Sequence, residues 1–401
     1  MFSIPNPFAQ KPKPTKERDF FTLLGGWAGF HNESAFHYYI HNPILRFAIN
    51  KRAEYISQAN FYVKGDRGKE DPVLDLINSP NPLQSKSDYL FQLAVFTMLH
   101  GDSFMYPLAG DSFIKDPERS MLFNLPGNYV LNRNDYQVSI SDFLESEDYQ
   151  EEIKYQYTNG EDQIKFRHSE VMPVYDTANG VGLKLNRGLS KIDSLKKVLD
   201  NVNTALEGKN VVLDSPGGVG IISSSREMDG KSLPLTPDEK DNLQNKINNY
   251  GISKGKHKFL FTSANVNFQP FNISIDNFNF DEGIVNDAIW VMSAYNIPPE
   301  IAGHKNSTYE NKEKAMLSVY QDCQSFVDNI AQKIGNWYGV EIEASFDHIP
   351  VVAESIQSSN KDKLNMFRDF SYSLNQLKSA GIEVSREEAF DQMKKMKIWA
   401  S

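Results

Sequence analysis

Apolar residues recur at three- and four-residue steps in several stretches of this chain, and each stretch predicts a helix with one buried face. From Asn42 to Asn60 the stripe is Ile44, Leu45, Ala48, Ile49, Ala53 and Ile56, with Lys51, Arg52 and Glu54 expected in water. Pro80, Asn81 and Pro82 predict a turn. Beyond it Ser87 is placed to cap a helix through Tyr89, Phe91, Leu93, Val95, Phe96 and Leu99, which Gly101 ends. Ser190 to Glu207 carries Ile192, Leu195, Val198, Leu199, Val202 and Leu206, with Ser190 as cap and Gly208 as stop. At 1.5 Å per residue that helix spans about 27 Å. A further helix, Phe280 to Asn296, buries Ile284, Val285, Ala288, Ile289, Met292 and Tyr295 until Pro298 and Pro299 break it. The box Ser307, Thr308, Tyr309, Glu310 then opens a long helix through Ala315, Val319, Cys323, Phe326, Val327, Ile330, Ile334 and Trp337, roughly 45 Å long, which reaches Gly339. The tail predicts a helical hairpin, with Leu364, Phe367, Leu374 and Leu377 on one arm, Gly381 at its end, and Ser385 with Glu388 opening the other.

Between Ser103 and Tyr175 the period changes to two. The runs SFMYPLA, YVLN, YQVSI, IKYQYT and VMPVY, separated by Gly, Asn and Asp, predict short strands. Further strands (VVLD, GVGII, KFLF, VNFQPF) and a short helix near Pro237 lie between the helices at 190–207 and 280–296. The fold class is therefore α+β.

Composition changes this picture at the ends. Met1 to Lys16 combines Pro5, Pro7, Pro12 and Pro14 with Lys11, Lys13 and Lys16, which buries nothing and predicts a loose arm. No secretory signal pattern is present, and the longest apolar stretch, Tyr89 to Leu99, is too short to cross a bilayer, so no membrane association is expected. Cys323, the only cysteine, permits no internal disulfide and belongs in the core. The net charge of −10, from 42 basic and 52 acidic residues, argues against a tight sequence-independent hold on DNA. It suits a conduit whose wall lets phosphate slide past.

Enzymatic chemistry finds no footing, and neither a catalytic residue nor a cofactor is expected. Gly251, Gly255 and Lys256 come nearest to a phosphate loop, but the spacing is one residue short and His257 stands where a hydroxyl should hold magnesium. Gly217, Gly218 and Gly220 lack dinucleotide-binding spacing and suit a β-turn. His37 and His41, four apart with His31 near, lack the glutamate of a zinc helix, and the acidic run Asp142 to Glu152 lacks a metal-loop turn, so no metal is expected. No serine or cysteine sits in a nucleophile elbow.

Four blocks, in order, carry a resemblance: PVLDLINSPNPLQSKSDYLFQLAVFTMLHGDSFMY from Pro72; FRHSEVMPVYD from Phe166, followed by RGLSKI; FLFTSANVNFQPFNISIDNFNFDEGIVNDAIWVMSAYNIPPEIAGHKNSTYENKEKAM; and SAGIEVSREEAF near the end. Together they resemble the portal proteins of tailed phages, of the HK97 type, over roughly Pro72 to Met393, although Asp229 to Tyr250 is more polar than that pattern. The resemblance implies a portal-type subunit: an N-terminal arm (1–34), a wing (35–188), a stem helix (189–209), a clip (210–277), a second stem helix (278–297), a tunnel loop (298–308), a long helix with a return to the wing (309–350) and a C-terminal helical crown (351–401). It implies a dodecameric homo-oligomer at one vertex of the virion, made in the host cytoplasm, through which double-stranded DNA passes. Its partners would be the terminase large subunit, a head-completion or adaptor protein and the major capsid protein. His304, Lys305, Asn306 and Ser307 would face DNA, with Pro298, Pro299 and Gly303 as hinges.

Twelve stem helices spaced at 8 to 10 Å make a circle about 100 to 120 Å round. Less one helix width, the bore is about 22 to 28 Å, enough for a duplex. The rival reading is a monomeric α+β enzyme or binding protein with a pocket among the strands at 103–175. A scaffold or capsid adaptor would share the ring without the long stem pair.

Overall fold

The computed structural model describes residues 33–109, 115–132, 154–159, 162–176, 187–214, 220–228, 231–248, 266–270, 280–303 and 308–379, with 389 and 392–393. The expected arm up to residue 32, the acidic run, the incomplete phosphate loop and the expected turn of a C-terminal hairpin lie outside them. The chain divides into two compact units, one of residues 1–37, 71–190 and 336–340, the other of residues 38–70, 191–335 and 341–401.

Helix α1 (Glu33–His41), of which residues 38–41 belong to the second unit, is followed at once by α2 (Pro43–Ser57), because Asn42 caps the new helix before Pro43 at its first position. The Asn42 side chain accepts from the amides of Ile44 and Leu45 and donates to Asn203 Oδ1 at 3.0 Å. Strand β1 (Asn60–Val63) pairs antiparallel with the later β12 (Ile342–Ser345), Phe61 opposite Ala344. The first unit contains α3 (Pro72–Asn78) and α4 (Lys86–His100). Helix α4 starts two residues earlier than expected. Its cap is Ser85, whose hydroxyl accepts from the Asp88 amide while Asp88 takes the Ser85 amide; Ser87 already lies inside. It ends as expected at Gly101, at φ 84.

Six strands follow: β2 (Asp102–Ala109), β3 (Ser120–Pro126), β4 (Val130–Asn132), β5 (Lys154–Asn159), β6 (Asp162–Arg167) and β7 (Met172–Tyr175). They form two antiparallel sheets in the orders β3-β2-β7 and β4-β5-β6. Where the sequence leaves room for an enzyme pocket, the described residues instead close on one another. Phe104, Leu125, Tyr129, Tyr155, Tyr157 and Phe166 bury together, with Phe104 and Tyr155 rings 5.1 Å apart.

The stem-like helix α5 (Ile192–Asp214) does not stop at Gly208. A glycine inside a helix costs only about 1 kcal/mol, and the run VVLD at 211–214, expected as a strand, is the last turn of this helix. Just before the helix, the Ser190 hydroxyl donates to the Leu99 carbonyl at 2.7 Å. Beyond α5 lie β8 (Gly220–Ser224), β9 (Glu227–Met228), β10 (Lys231–Ser232), α6 (Pro237–Asn248) and β11 (Val266–Pro270), with β11 on β8 and β10 on β9. Helix α7 (Phe280–Ala294) packs on α5 and α2 through Ala288, Val291, Met292 and Tyr295. Helix α8 (Tyr309–Tyr338) buries Val319, Cys323, Val327, Ile330 and Ile334, the stripe expected of it. Its described cap is Thr308, whose hydroxyl accepts from the Asn311 amide at 3.3 Å. The chain then forms α9 (Pro350–Ser379).

Candidate functional site

The expected loop at 298–308 is anchored at its start by residues whose roles follow from the end of α7. Helix α7 finishes with Asn296 in the left-handed region at φ 54. The Asn296 amide bonds the Ser293 carbonyl at 3.0 Å and the Ile297 amide bonds the Met292 carbonyl at 2.9 Å, the paired closure of a Schellman motif. Ile297 and Met292, both buried, supply its apolar contact. The carbonyl of Tyr295, left over by the helix end, accepts from Arg52 Nη1 at 2.9 Å. Arg52 is 7% exposed and pairs with Asp322 of α8, which in turn accepts from Asn296 Nδ2 at 2.9 Å. The Lys191 ammonium lies 5.5 Å from the Tyr295 ring centre. Arg52 was expected in water; it is buried because a charge that gives up hydration is held by an ion pair and a helix-end carbonyl together.

After this root, Pro298 is extended and Pro299–Ala302 form a short 3-10 turn that Gly303 closes at φ 78. A side chain at Gly303 would meet nothing within 4 Å, so backbone conformation alone favours glycine there. The three expected hinge residues thus frame one turn. His304, Lys305, Asn306 and Ser307 lie outside the described residues.

The neighbouring packing of α8 is aromatic. Tyr320 meets Tyr55 edge-on at 4.7 Å and Phe346 at 5.1 Å, and its hydroxyl donates to Gln58 at 2.9 Å. Burial pushes the Tyr55 phenol up to about 12 and the Cys323 thiol up to about 11, so Cys323 is an inert core residue.

A second constellation, in the first unit, was not anticipated. Asp102, fully buried, accepts from Arg187 Nε at 2.6 Å and Nη2 at 3.1 Å, and from the Gly188 amide at 3.0 Å. Arg187 also donates to the carbonyls of Val130 at 2.6 Å and Gly127 at 2.8 Å. Three glycines make room: a Cβ at Gly127 would lie 1.7 Å from Asp102 Oδ1, one at Gly188 2.0 Å from the Gly101 oxygen, and one at Gly101 2.3 Å from the Leu189 carbonyl carbon. Burial pushes the Asp102 carboxyl up, opposed by Arg187 and the Gly188 amide. Burial, reinforced by Arg187, pulls the adjacent His100 down to about 3. This assembly locks the strand start at Asp102 to the chain entering α5, and its groups are saturated by one another. It offers no reacting position.

Among the described residues no group of three or more His, Cys, Asp or Glu could hold a metal, and His37 and His41 share α1 without a third ligand. No described helix is long and apolar enough to cross a membrane. Against this background the family model of the phage portal protein matches residues 43–364.

The chain belongs to the phage portal protein family. The family is structural. An uncharacterized protein of Rickettsia felis is 21% identical to this portal protein over 311 residues, 75% of each chain. Among solved structures, a chain in the neck of an empty GTA particle computed with C6 symmetry aligns with a TM-score of 0.59 at 16% identity, covering 90% of this portal protein and 96% of that chain. A chain in the neck of a native GTA particle computed with C12 symmetry gives 0.55 at 15% identity, over 91% and 98%. An HK97 family phage portal protein from Corynebacterium diphtheriae gives 0.53 at 11% identity, over 79% and 96%. At these identities the likeness establishes the HK97-type portal fold.

Sequence reasoning missed Arg52, Asp322 and the Asp102–Arg187 pair. One signal was present: Arg52 falls on the apolar stripe of α2 between Ile49 and Ala53. A charge on a buried stripe calls for a partner.

Proposed function

We propose that this portal protein forms a closed dodecameric ring at one capsid vertex and conducts double-stranded DNA during packaging and ejection. The clip would dock the terminase large subunit and later a head-completion or adaptor protein, with the major capsid protein around the ring. The observation that carries the reading is the family match across 43–364, which spans the α5–α7 pair and the loop root in one segment. The neck assemblies in which similar chains occur, computed with C6 and C12 symmetry, support a ring of twelve.

The residues of 298–308 would form the loop that meets the duplex. His304, Lys305, Asn306 and Ser307 supply its polar face, and their contacts with phosphate would be weak and salt-sensitive. The Arg52–Asp322–Asn296 cluster fixes one end of the loop, and the left-handed Gly303 gives it a turn from which to swing. An acidic chain, at −10, would keep the rest of the bore from gripping the duplex.

Mass photometry of the purified chain, with negative-stain images, tests the assembly. A species of about twelve subunits with a central hole is the expected result. A monomer of 45.6 kDa at every concentration and salt would overturn the ring.

A further inference from the structure

Helix α9 carries two opposite surfaces. On one side, together with α8, it forms an open groove of about 630 Å³ whose floor includes Leu317, Val351 and Met366 and whose α9 wall includes Ser355, Ser358 and Asp362. On the other side stand Ile356, Leu364 and Phe367, respectively 40%, 68% and 43% exposed. At 100° per residue this apolar ridge lies about 140° round the helix axis from the groove residues. Every α9 residue from 356 to 369 is exposed, so no other described element of the chain covers the ridge.

A ridge and a groove on opposite faces of one helix cannot meet by a twofold axis, which would bring both patches of each copy into one shared interface. They fit head to tail, ridge of one copy into groove of the next, the arrangement that closes into rings. Charge agrees. The groove is edged by Glu313, Glu354 and Asp362, and of its lysines Lys314 is already bonded to Glu310 at 2.6 Å. The ridge is bordered by Lys361 and by Arg368, the latter exposed and 3.7 Å from Asp369.

We infer that the α8–α9 groove of each subunit receives the Ile356–Leu364–Phe367 ridge of a second copy of this chain. The inference rests on the ring reading and names one surface that holds the ring together.

Two variants of the full chain test it. In the first, Leu364→Asp and Phe367→Asp are combined. Both side chains are exposed in the single chain, so the monomer's melting temperature should stay unchanged while the concentration for half-assembly rises about a hundredfold. In the second, Ser358→Cys and Phe367→Cys are combined. They lie nine residues apart on opposite sides of α9, beyond disulfide reach within one chain. Mild oxidation should therefore give a ladder of linked subunits on a denaturing gel, and neither single variant should. Buried Cys323 does not take part. If the wild type forms rings but the aspartate variant assembles equally well and no ladder appears, the surface is wrong and the ring reading stands. A wild type that stays monomeric overturns both.

Discussion

Asn296 does with a side chain what glycine usually does at a helix end. It accepts φ 54 to close α7 and uses its amide to hold Asp322. Asn296→Ala should lose both functions and cost about 1–2 kcal/mol, whereas Asn296→Gly should cost less because it keeps the backbone conformation; urea melts of the two variants give the comparison. His100 makes a second residue-scale prediction. Its pKa is depressed from an ordinary 6.5 to about 3, so below pH 6.5 the unfolded chain takes a proton that the folded chain refuses. The stability this group contributes is full above 6.5 and falls by about 1.4 kcal/mol per pH unit as pH drops toward 3. In His100→Gln that component of the acid slope should vanish, as read from denaturant midpoints between pH 7 and 4.

Elements fail where they are pinned and improve where they are slack. Removing Asp102 by substitution with Ala takes two charge-assisted hydrogen bonds from the part-buried Arg187 guanidinium and should cost about 2–3 kcal/mol, measured by thermal or urea unfolding. Gly127→Ala should damage the same lock, because its Cβ would lie 1.7 Å from Asp102 Oδ1. Gly283 is the contrary case. It lies inside α7 at an exposed position where a Cβ meets nothing within 4 Å, so Gly283→Ala should raise stability by about 0.5–1 kcal/mol. The rise should appear as a higher urea midpoint with unchanged slope.

For the whole molecule, the balance of charge is the governing quantity. Net −10 and the proposed DNA cargo are compatible only if few cations touch the duplex at a time. Lys305→Ala should therefore weaken DNA binding to assembled rings mainly at low salt and lower the salt slope, with ring stoichiometry unchanged. Filter binding across a salt series reads the slope, and mass photometry the stoichiometry. A variant that binds with wild-type affinity and salt slope would remove Lys305 from the contact.

The sequence by itself determined the helices with long 3-4 stripes, the αL stop at Gly101, the break at Pro298 and Pro299, the core place of Cys323 and the portal resemblance. These depend on local periodicity, backbone permissiveness and the order of motifs, all of which act over short stretches of chain. Only the tertiary structure decided the pairing of β1 with β12 about 280 residues later, the burial of Arg52, and the bonding of Asp102 to Arg187 across 85 positions. It also decided that α5 runs through Gly208, since packing against α7 outweighs about 1 kcal/mol of glycine propensity. Such contacts are set by which surfaces the fold brings together. A charge looks the same in the sequence whether water or a partner ends up beside it.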